Sequence, residues 1–279
     1  MTKYYYRVRA HWWGDHASPT RIGENLLGWM DSLSGVDPSM ADWRLLETDE
    51  SGDVETSHAI DPPRDPAGIA KWVEGRVVRD DWGAPAPKDG YRLMAWTTRR
   101  DDSETTPDSL FFTATAGSPR HNEAQFQLGG YLSDPDESLV TYPAFRKALE
   151  ALVACWPCPC ASAYAVDPHD PRPVPVILSQ ADFDRAMAEP FDPAPVIFHR
   201  WMVYLSAPLA KGFSPPADLI CEDTPGGGVI LSATRERLDP DNPDHLAKSV
   251  RLGRIMDAIV PEYVIGNPAS VVPARVGPY

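Results

Sequence analysis

The stretch YYYRVRAHW, residues 4–12, decides the fold class. Its side chains alternate in character along the chain. One set is suited to a core and comprises Tyr4, Tyr6, Val8, Ala10 and Trp12, whereas the other comprises Tyr5, Arg7, Arg9 and His11. A period of two residues is typical of a β-strand, so we predict a strand with one buried and one more polar face.

Helix and strand patterns follow each other on the C-terminal side of this strand. Helices are predicted after the capping pairs Ser18-Pro19 and Asp65-Pro66, from Thr141 to about Trp156, and after Asn242-Pro243. Further strands are predicted at residues 43–46, 91–98, 110–116, 125–132, 162–166, 174–178, 198–205, 218–223 and 229–234, with one or two helical turns at 180–187. Because several strands are separated by turns alone, the predicted fold class is α+β, a mostly antiparallel mixed sheet flanked by about four main helices.

No internal repeat or low-complexity linker divides the sequence. We predict a single α+β domain over residues 1–265, with a weak internal seam near 134–138 and a Pro/Val/Gly-rich tail over 266–279. The Trp side chains on predicted strands and helices are expected in the core, and they are Trp12, Trp72, Trp156 and Trp201.

Composition limits the classes of function. The 279 residues include 26 Lys and Arg against 40 Asp and Glu, a formal net charge of −14 with histidine neutral. Nucleic-acid backbones are bound by cations that displace counterions, so this charge argues against a nucleic-acid reader. No stretch approaches the roughly 20 apolar residues that cross a bilayer, and the charged, aromatic N-terminus is unlike a signal peptide. Four cysteines, three of them within 155–160, do not make a disulfide framework, so we expect a cytoplasmic protein.

One constellation has the residue order of a zinc deaminase. H-N-E at 121–123 and C-W-P-C at 155–158 match the types that hold zinc and move protons in those enzymes. In a deaminase both motifs begin helices, whereas here His121 precedes a predicted strand and Cys155 ends a predicted helix. Ala154 also stands where the signature has proline. We predict no catalytic residue and no cofactor, and the competing interpretation is a zinc-dependent hydrolase that uses His121, Glu123, Cys155 and Cys158.

The cysteine cluster allows two interpretations. Cys155, Cys158 and Cys160, with the distant Cys221, are thiols of the kind that bind structural zinc. Structural zinc sites usually pair two cysteine knuckles, and the sequence has one. Cysteine also packs as a small hydrophobic residue, so free buried thiols are the expected state. Metal binding by this cluster stays open on sequence grounds.

Acidic residues cluster in segments that the strand pattern assigns to loops. The first group has no Lys or Arg between its members and comprises Glu47, Asp49, Glu50 and Asp53. The second group comprises Asp101, Asp102 and Glu104. Acidic loops keep a protein soluble, and they also imitate nucleic acid or steer a basic partner. We therefore predict that these seven acids contact a basic protein partner.

Several segments form an ordered series along the chain. They are YRVRAHWWG at 6–14, LSGVDP at 33–38 followed by Trp43, GYRLMAW at 90–96, ACWP at 154–157, RWMVYL at 200–205 and the run 226–257. Their order and spacing, over most of residues 4–260, resemble the immunity protein 52 family of bacterial polymorphic toxin systems.

This resemblance implies an α+β, cytoplasmic, non-catalytic protein encoded beside a toxin. The toxin is typically a nuclease of the restriction-endonuclease fold, which the immunity protein binds and silences. The expected partner is therefore the cognate toxin domain from the adjacent gene, with no nucleic-acid or membrane partner. The Cys-Pro-Cys at 158–160 and the Pro/Asp-rich loops depart from the family pattern, which concerns the contact surface because immunity interfaces are tailored to one toxin. A generic acidic adaptor with an unrelated partner is the remaining alternative.

Overall fold

A ten-stranded sheet dominates the computed structural model of the protein. The structure describes residues 4–12, 14, 16–47, 58–80, 82–97, 110–119, 122–128, 137–166 and 199–259. The strands in chain order are β1 (Tyr5–Trp12), β2 (Trp43–Glu47), β3 (His58–Ile60), β4 (Tyr91–Thr97), β5 (Leu110–Ala116), β6 (Asn122–Leu128), β7 (Cys160–Val166), β8 (His199–Leu205), β9 (Ile220–Asp223) and β10 (Val229–Ser232). They lie in the order β3-β2-β4-β5-β6-β1-β7-β8-β10-β9, and all nine pairings are antiparallel.

Five helices accompany the sheet in the described part of the chain. They are α1 (Pro19–Ser34), α2 (Pro66–Glu74), α3 (Tyr142–Cys155), the short α4 (Ala207–Ala210) and α5 (Pro243–Ile259). Helices α1 and α2 begin as the capping pairs predict, and α3 begins at the predicted position, because Ser18, Asp65 and Thr141 accept hydrogen bonds from backbone N–H groups in the first turn. Each of these three helices has proline in its first turn, where no backbone donor is needed. The predicted α+β class is therefore confirmed.

The two faces of the sheet differ, as the alternation in β1 predicts. Tyr6 and Trp12 point toward α3 and the turn after it, with ring centroids 6.0 Å from Phe145 and 5.3 Å from Trp156. Arg9 points to the other face, where α5 covers the neighbourhood of β8. Helices α1 and α3 thus bury one face at the centre of the sheet, while α5 lies on the opposite face.

Aromatic side chains fill the space between the helices and the sheet. Trp29 of α1 lies 4.3 Å from Phe112 and 4.9 Å from Trp43 between ring centroids. Trp201 lies 5.3 Å from Phe145 in the same way. The four Trp residues that the sequence assigns to the core are all buried, which confirms that prediction for Trp12, Trp72, Trp156 and Trp201.

Some element boundaries differ from those predicted. Strand β6 begins at Asn122, three residues before the predicted start, and the three-residue β3 was not predicted at all. The predicted strand at 174–178, the helical turns at 180–187 and the tail at 266–279 lie outside the described residues. Strand β1 pairs with both β6 and β7, which precede and follow the predicted seam near 134–138 in the sequence. The predicted domain limits stay a prediction. Within the described ranges, no helix has both the length and the apolar character that a membrane span requires.

Candidate functional site

Glu47, the first of the seven predicted contact acids, ends strand β2. Its carboxylate Oε2 lies 3.3 Å from His58 Nε2 on the neighbouring β3, and Oε1 lies 3.8 Å from Arg76 Nη2. The Glu47 side chain is 40% exposed. Part of its charge is therefore matched within the protein, and the rest faces solvent.

The two predicted acidic groups follow opposite ends of neighbouring strands. Strands β2 and β4 are antiparallel, and the first residue of β2, Trp43, pairs with the last residue of β4, Thr97. The last residue of β2, Glu47, therefore lies four residues, or about 13 Å, along the strands from the end of β4. The other members of the two groups, Asp49, Glu50, Asp53, Asp101, Asp102 and Glu104, lie outside the described residues. Their contact with a partner stays a prediction, and only the strand ends that precede them, Glu47 and Thr97, are described.

The competing zinc constellation is divided by the sheet. Glu123 lies on the face opposite α1 and α3, where its Oε2 is 2.5 Å from Arg9 Nη2. Cys155 lies on the helix side, with its Sγ 3.6 Å from the point that a Cβ at Gly28 would occupy. Because the sheet separates Glu123 from Cys155, these two residues do not meet at one ion. His121 lies outside the described residues.

All four cysteines are free thiols, of which Cys158 and Cys160 are buried, Cys155 is half-buried and Cys221 is exposed. Burial raises the pKa of the Cys160 thiol to about 12. Burial also raises the pKa of Cys158, and the neighbouring Cys160 shifts it in the same direction. Redox exchange uses the thiolate, which this buried environment disfavours at Cys158 and Cys160. Among the described residues, no group of three or more His, Cys, Asp or Glu is arranged to hold a metal ion.

A charged network lies on the sheet face opposite α1 and α3. Arg9 contacts Glu123, and His11 Nδ1 lies 3.9 Å from the same carboxylate. Burial disfavours the charged form of Arg9, but the neighbouring Tyr164 and Glu123 outweigh that effect and raise its pKa above the usual value. The Glu123 carboxylate is thus used in an ion pair between β1 and β6, which is a structural role.

A tryptophan that the sequence analysis did not single out is the most exposed large apolar side chain of the described residues. Trp82 is 93% exposed, and the next such residue, Val250 on α5, is 43% exposed. Trp82 lies in a tight turn that is closed by the backbone bridge Arg79–Pro85, and the bridge Val77–Tyr91 lies further from the tip. The available sequence signal was the turn chemistry around it, since D-D-W-G at 80–83 is a typical turn composition.

The turn that carries Trp82 is fixed by its own hydrogen bonds. The Asp80 carboxylate Oδ1 accepts from the backbone N–H groups of Trp82 at 3.0 Å and Ala84 at 2.9 Å. Arg79 Nη1 donates to the Gly83 carbonyl at 2.7 Å, and Gly83 has a φ of +79°, which glycine adopts without strain. The indole is therefore presented to solvent by an ordered backbone.

The Trp82 turn and Glu47 lie at the same end of the sheet. Val78 donates to the Gly90 carbonyl at 2.9 Å, so the segment before the turn runs past the start of β4. Strand β2 ends at this same end, and Arg76 connects the two through its contact with Glu47. The acid-only segment 48–57 follows Glu47 directly in the sequence. This end of the sheet, with Trp82, Asp80 and Glu47, is the candidate contact surface, named below the Trp82 end.

Comparison with known proteins identifies the family. The family model described as Immunity protein 52 matches residues 3–259. The chain belongs to the immunity protein 52 family. No curated protein matches it significantly. Among solved structures, the Pseudomonas aeruginosa T6SS protein PA0821 is similar, with a TM-score of 0.51 and 12% sequence identity over 92% of this chain and 73% of that chain.

The similarity to PA0821 concerns the fold alone, because the identity is low. The family assignment covers both halves of the sheet and all five helices of the described part. The resemblance seen in the ordered segments of the sequence is thereby confirmed. As a family member, this chain is an immunity protein.

Proposed function

We propose that this immunity protein binds and neutralises a cognate nuclease toxin of the restriction-endonuclease fold, encoded by the adjacent gene, in the cytoplasm of the producing cell. Membership of the immunity protein 52 family over residues 3–259 is the observation that carries this proposal. The protein acts by tight binding that blocks the toxin's active site or nucleic-acid path, without catalysis of its own.

The charge of the protein supports a nuclease as the partner. A formal net charge of −14 favours solubility and fast association with a basic partner, and nucleases carry basic surfaces that bind phosphates. Opposite charges accelerate the encounter of two proteins, and buried contacts then determine how slowly the complex dissociates. An acidic immunity protein therefore suits a toxin that must be captured quickly.

The binding proposal is tested by isothermal titration calorimetry. The C-terminal domain of the protein encoded by the adjacent gene is purified with an inactivating substitution and titrated against the full immunity protein. We expect a one-to-one complex with nanomolar affinity or tighter, about −12 kcal/mol. Absence of heat together with absence of co-elution in gel filtration would overturn the proposal.

The seven acids are tested in two separate groups, because they follow opposite ends of the strands. One charge-reversal variant changes the first group, Glu47, Asp49, Glu50 and Asp53, to lysine. The other variant changes the second group, Asp101, Asp102 and Glu104, to lysine. Reversal of a contacting group weakens toxin binding and flattens its salt dependence. Glu236→Lys, at a side chain that is 83% exposed and outside both groups, is the control for nonspecific charge effects. If both variants bind unchanged at low and high salt, the predicted contacts are wrong.

A further inference from the structure

Trp82 stands out from the other tryptophans of the described residues. Six are buried, and they are Trp12, Trp29, Trp43, Trp72, Trp156 and Trp201, while Trp96 on β4 is half-buried. Trp82 contributes almost nothing to the core, since 93% of it is exposed. A single exposed hydrophobic residue is common on protein surfaces, so exposure alone does not identify a contact. The backbone that holds Trp82 and the charge near it provide the further observations.

The geometry of the turn prepares Trp82 for binding. Asp80 fixes the backbone on both sides of the indole, and the Asp80 N–H donates to the Ala84 carbonyl at 2.9 Å. A backbone that is already held by hydrogen bonds loses less conformational entropy when a partner covers the turn. Tryptophan is also the residue type most enriched among interface residues that dominate binding energy.

Charge at the Trp82 end indicates the character of the partner. Asp80 and Glu47 lie at this end together with Arg79 of the turn and Arg76, which contacts Glu47. The segment 48–57 joins Glu47 to its strand partner His58, and its sequence contains four acidic residues and no Lys or Arg, so acids outnumber bases here. An apolar anchor beside negative charge is complementary to an apolar pocket with Lys or Arg at its rim. A nuclease, which presents cations to phosphates, carries such basic surroundings.

Resting on the proposed function, we propose that Trp82 is the aromatic anchor of the toxin interface and inserts into an apolar pocket of the toxin that is rimmed by basic residues. The Trp82 end of the sheet then faces the toxin, and the opposite end does not supply the anchor. The acids near Glu47 accelerate the encounter, while the indole slows dissociation.

The test compares three forms of the full protein with the inactivated toxin domain from the adjacent gene, by surface plasmon resonance. Trp82→Ala is expected to weaken binding at least thirtyfold, about 2 kcal/mol, mainly through faster dissociation. Val250→Ala, which trims the other exposed apolar side chain, is the matched control and is expected to bind like the wild type. Thermal melting of all three forms should agree, since neither side chain is part of the buried core.

A second measurement reports on the indole itself and does not depend on the stability of the alanine variant. Acrylamide quenching of the wild type and of Trp82→Phe gives, by difference, the fluorescence of Trp82. That difference is strongly quenched in the free protein and is expected to be protected in the toxin complex.

These two experiments distinguish a failure of the Trp82 anchor proposal from a failure of the proposed immunity function. If the wild type binds the toxin while Trp82→Ala binds within threefold of it, or if Trp82 stays quenchable in the complex, the anchor proposal is overturned and the immunity function stands. If the wild type does not bind the toxin, the proposed function itself fails. Weaker binding of Trp82→Ala, normal binding of Val250→Ala and protection of the indole together support the anchor.

Discussion

Two glycines with a positive φ should differ in their tolerance of alanine. Gly90, immediately before β4, has a φ of +85°, and Gly83, in the Trp82 turn, has a φ of +79°. A Cβ at Gly83 would meet nothing within 4 Å, whereas a Cβ at Gly90 would lie 2.4 Å from the carbonyl oxygen of Ala116. Gly90 also has a ψ of −152°, a combination that essentially only glycine adopts. An alanine at Gly90 therefore meets both a larger conformational cost and a steric contact that are absent at Gly83.

The magnitudes follow from these contacts. A left-handed backbone costs an alanine about 1 kcal/mol or slightly more, so Gly83→Ala should lower the free energy of unfolding by about that amount. At Gly90 the nearest atoms are backbone atoms of the segment that pairs with the start of β4, and Tyr91 is the partner of Ala116. The glycine-only conformation and the displacement of these backbone atoms together cost about 2 kcal/mol more than the change at Gly83, which gives about 3 kcal/mol for Gly90→Ala.

Urea denaturation followed by tryptophan fluorescence measures the difference. With a slope of about 2 kcal/mol per molar urea, the midpoint of Gly90→Ala should lie about 1 M below that of Gly83→Ala. Equal midpoints for the two variants would refute the reasoning, because they would show that the Ala116 carbonyl gives way without cost and that the start of β4 is not fixed by this contact.

Three further predictions concern the edge of the sheet and the thiols. Burial alone would raise the pKa of Glu222, but a 2.5 Å hydrogen bond from Arg146 helps to lower it below its usual value. The stability that Glu222 contributes is therefore fully present above the ordinary carboxyl pKa and is lost as pH falls through the lowered pKa. Glu222→Gln should therefore cost about 1 kcal/mol in melts at pH 7 and nothing in strong acid, and an equal loss at both pH values would contradict this ion pair. Cys221 is exposed and should react with Ellman's reagent in the native protein, while buried Cys160 should react only after unfolding; fast reaction of both would contradict the described burial. Metal analysis of freshly purified protein should find no stoichiometric zinc, whereas one equivalent that is lost on Cys155→Ser would favour the hydrolase interpretation.

The fold class could be predicted from sequence because its evidence is local. The alternation at 4–12 and the capping pairs at Ser18 and Asp65 each depend on neighbouring residues, and the structure has the expected strand and helices there. The order of the ten strands could not be predicted, because it depends on pairings between distant segments such as β1 with β7. The short β3 escaped prediction because its three residues show no buried alternation.

The start of β6 and the exposure of Trp82 were missed for related reasons. Asn122 and Glu123 are polar, so the pattern placed the strand later, yet Glu123 faces the charged side of the sheet and pairs with Arg9. Tryptophan usually belongs to a core, and only the hydrogen bonds of Asp80 show that the chain turns sharply enough to leave Trp82 in solvent. Both features depend on whether a side chain faces the core, a charged neighbour or solvent, and the periodicity of the sequence does not specify this.

Neutralisation of a toxin is tested most directly in living cells. The toxin domain from the adjacent gene is expressed from an inducible promoter in a bacterial host, with and without this protein, and growth is followed while blotting confirms that both proteins are soluble. We predict that the toxin domain alone stops growth and that co-expression restores it to the rate of uninduced cells. Continued growth arrest in the presence of soluble immunity protein would contradict the proposed function.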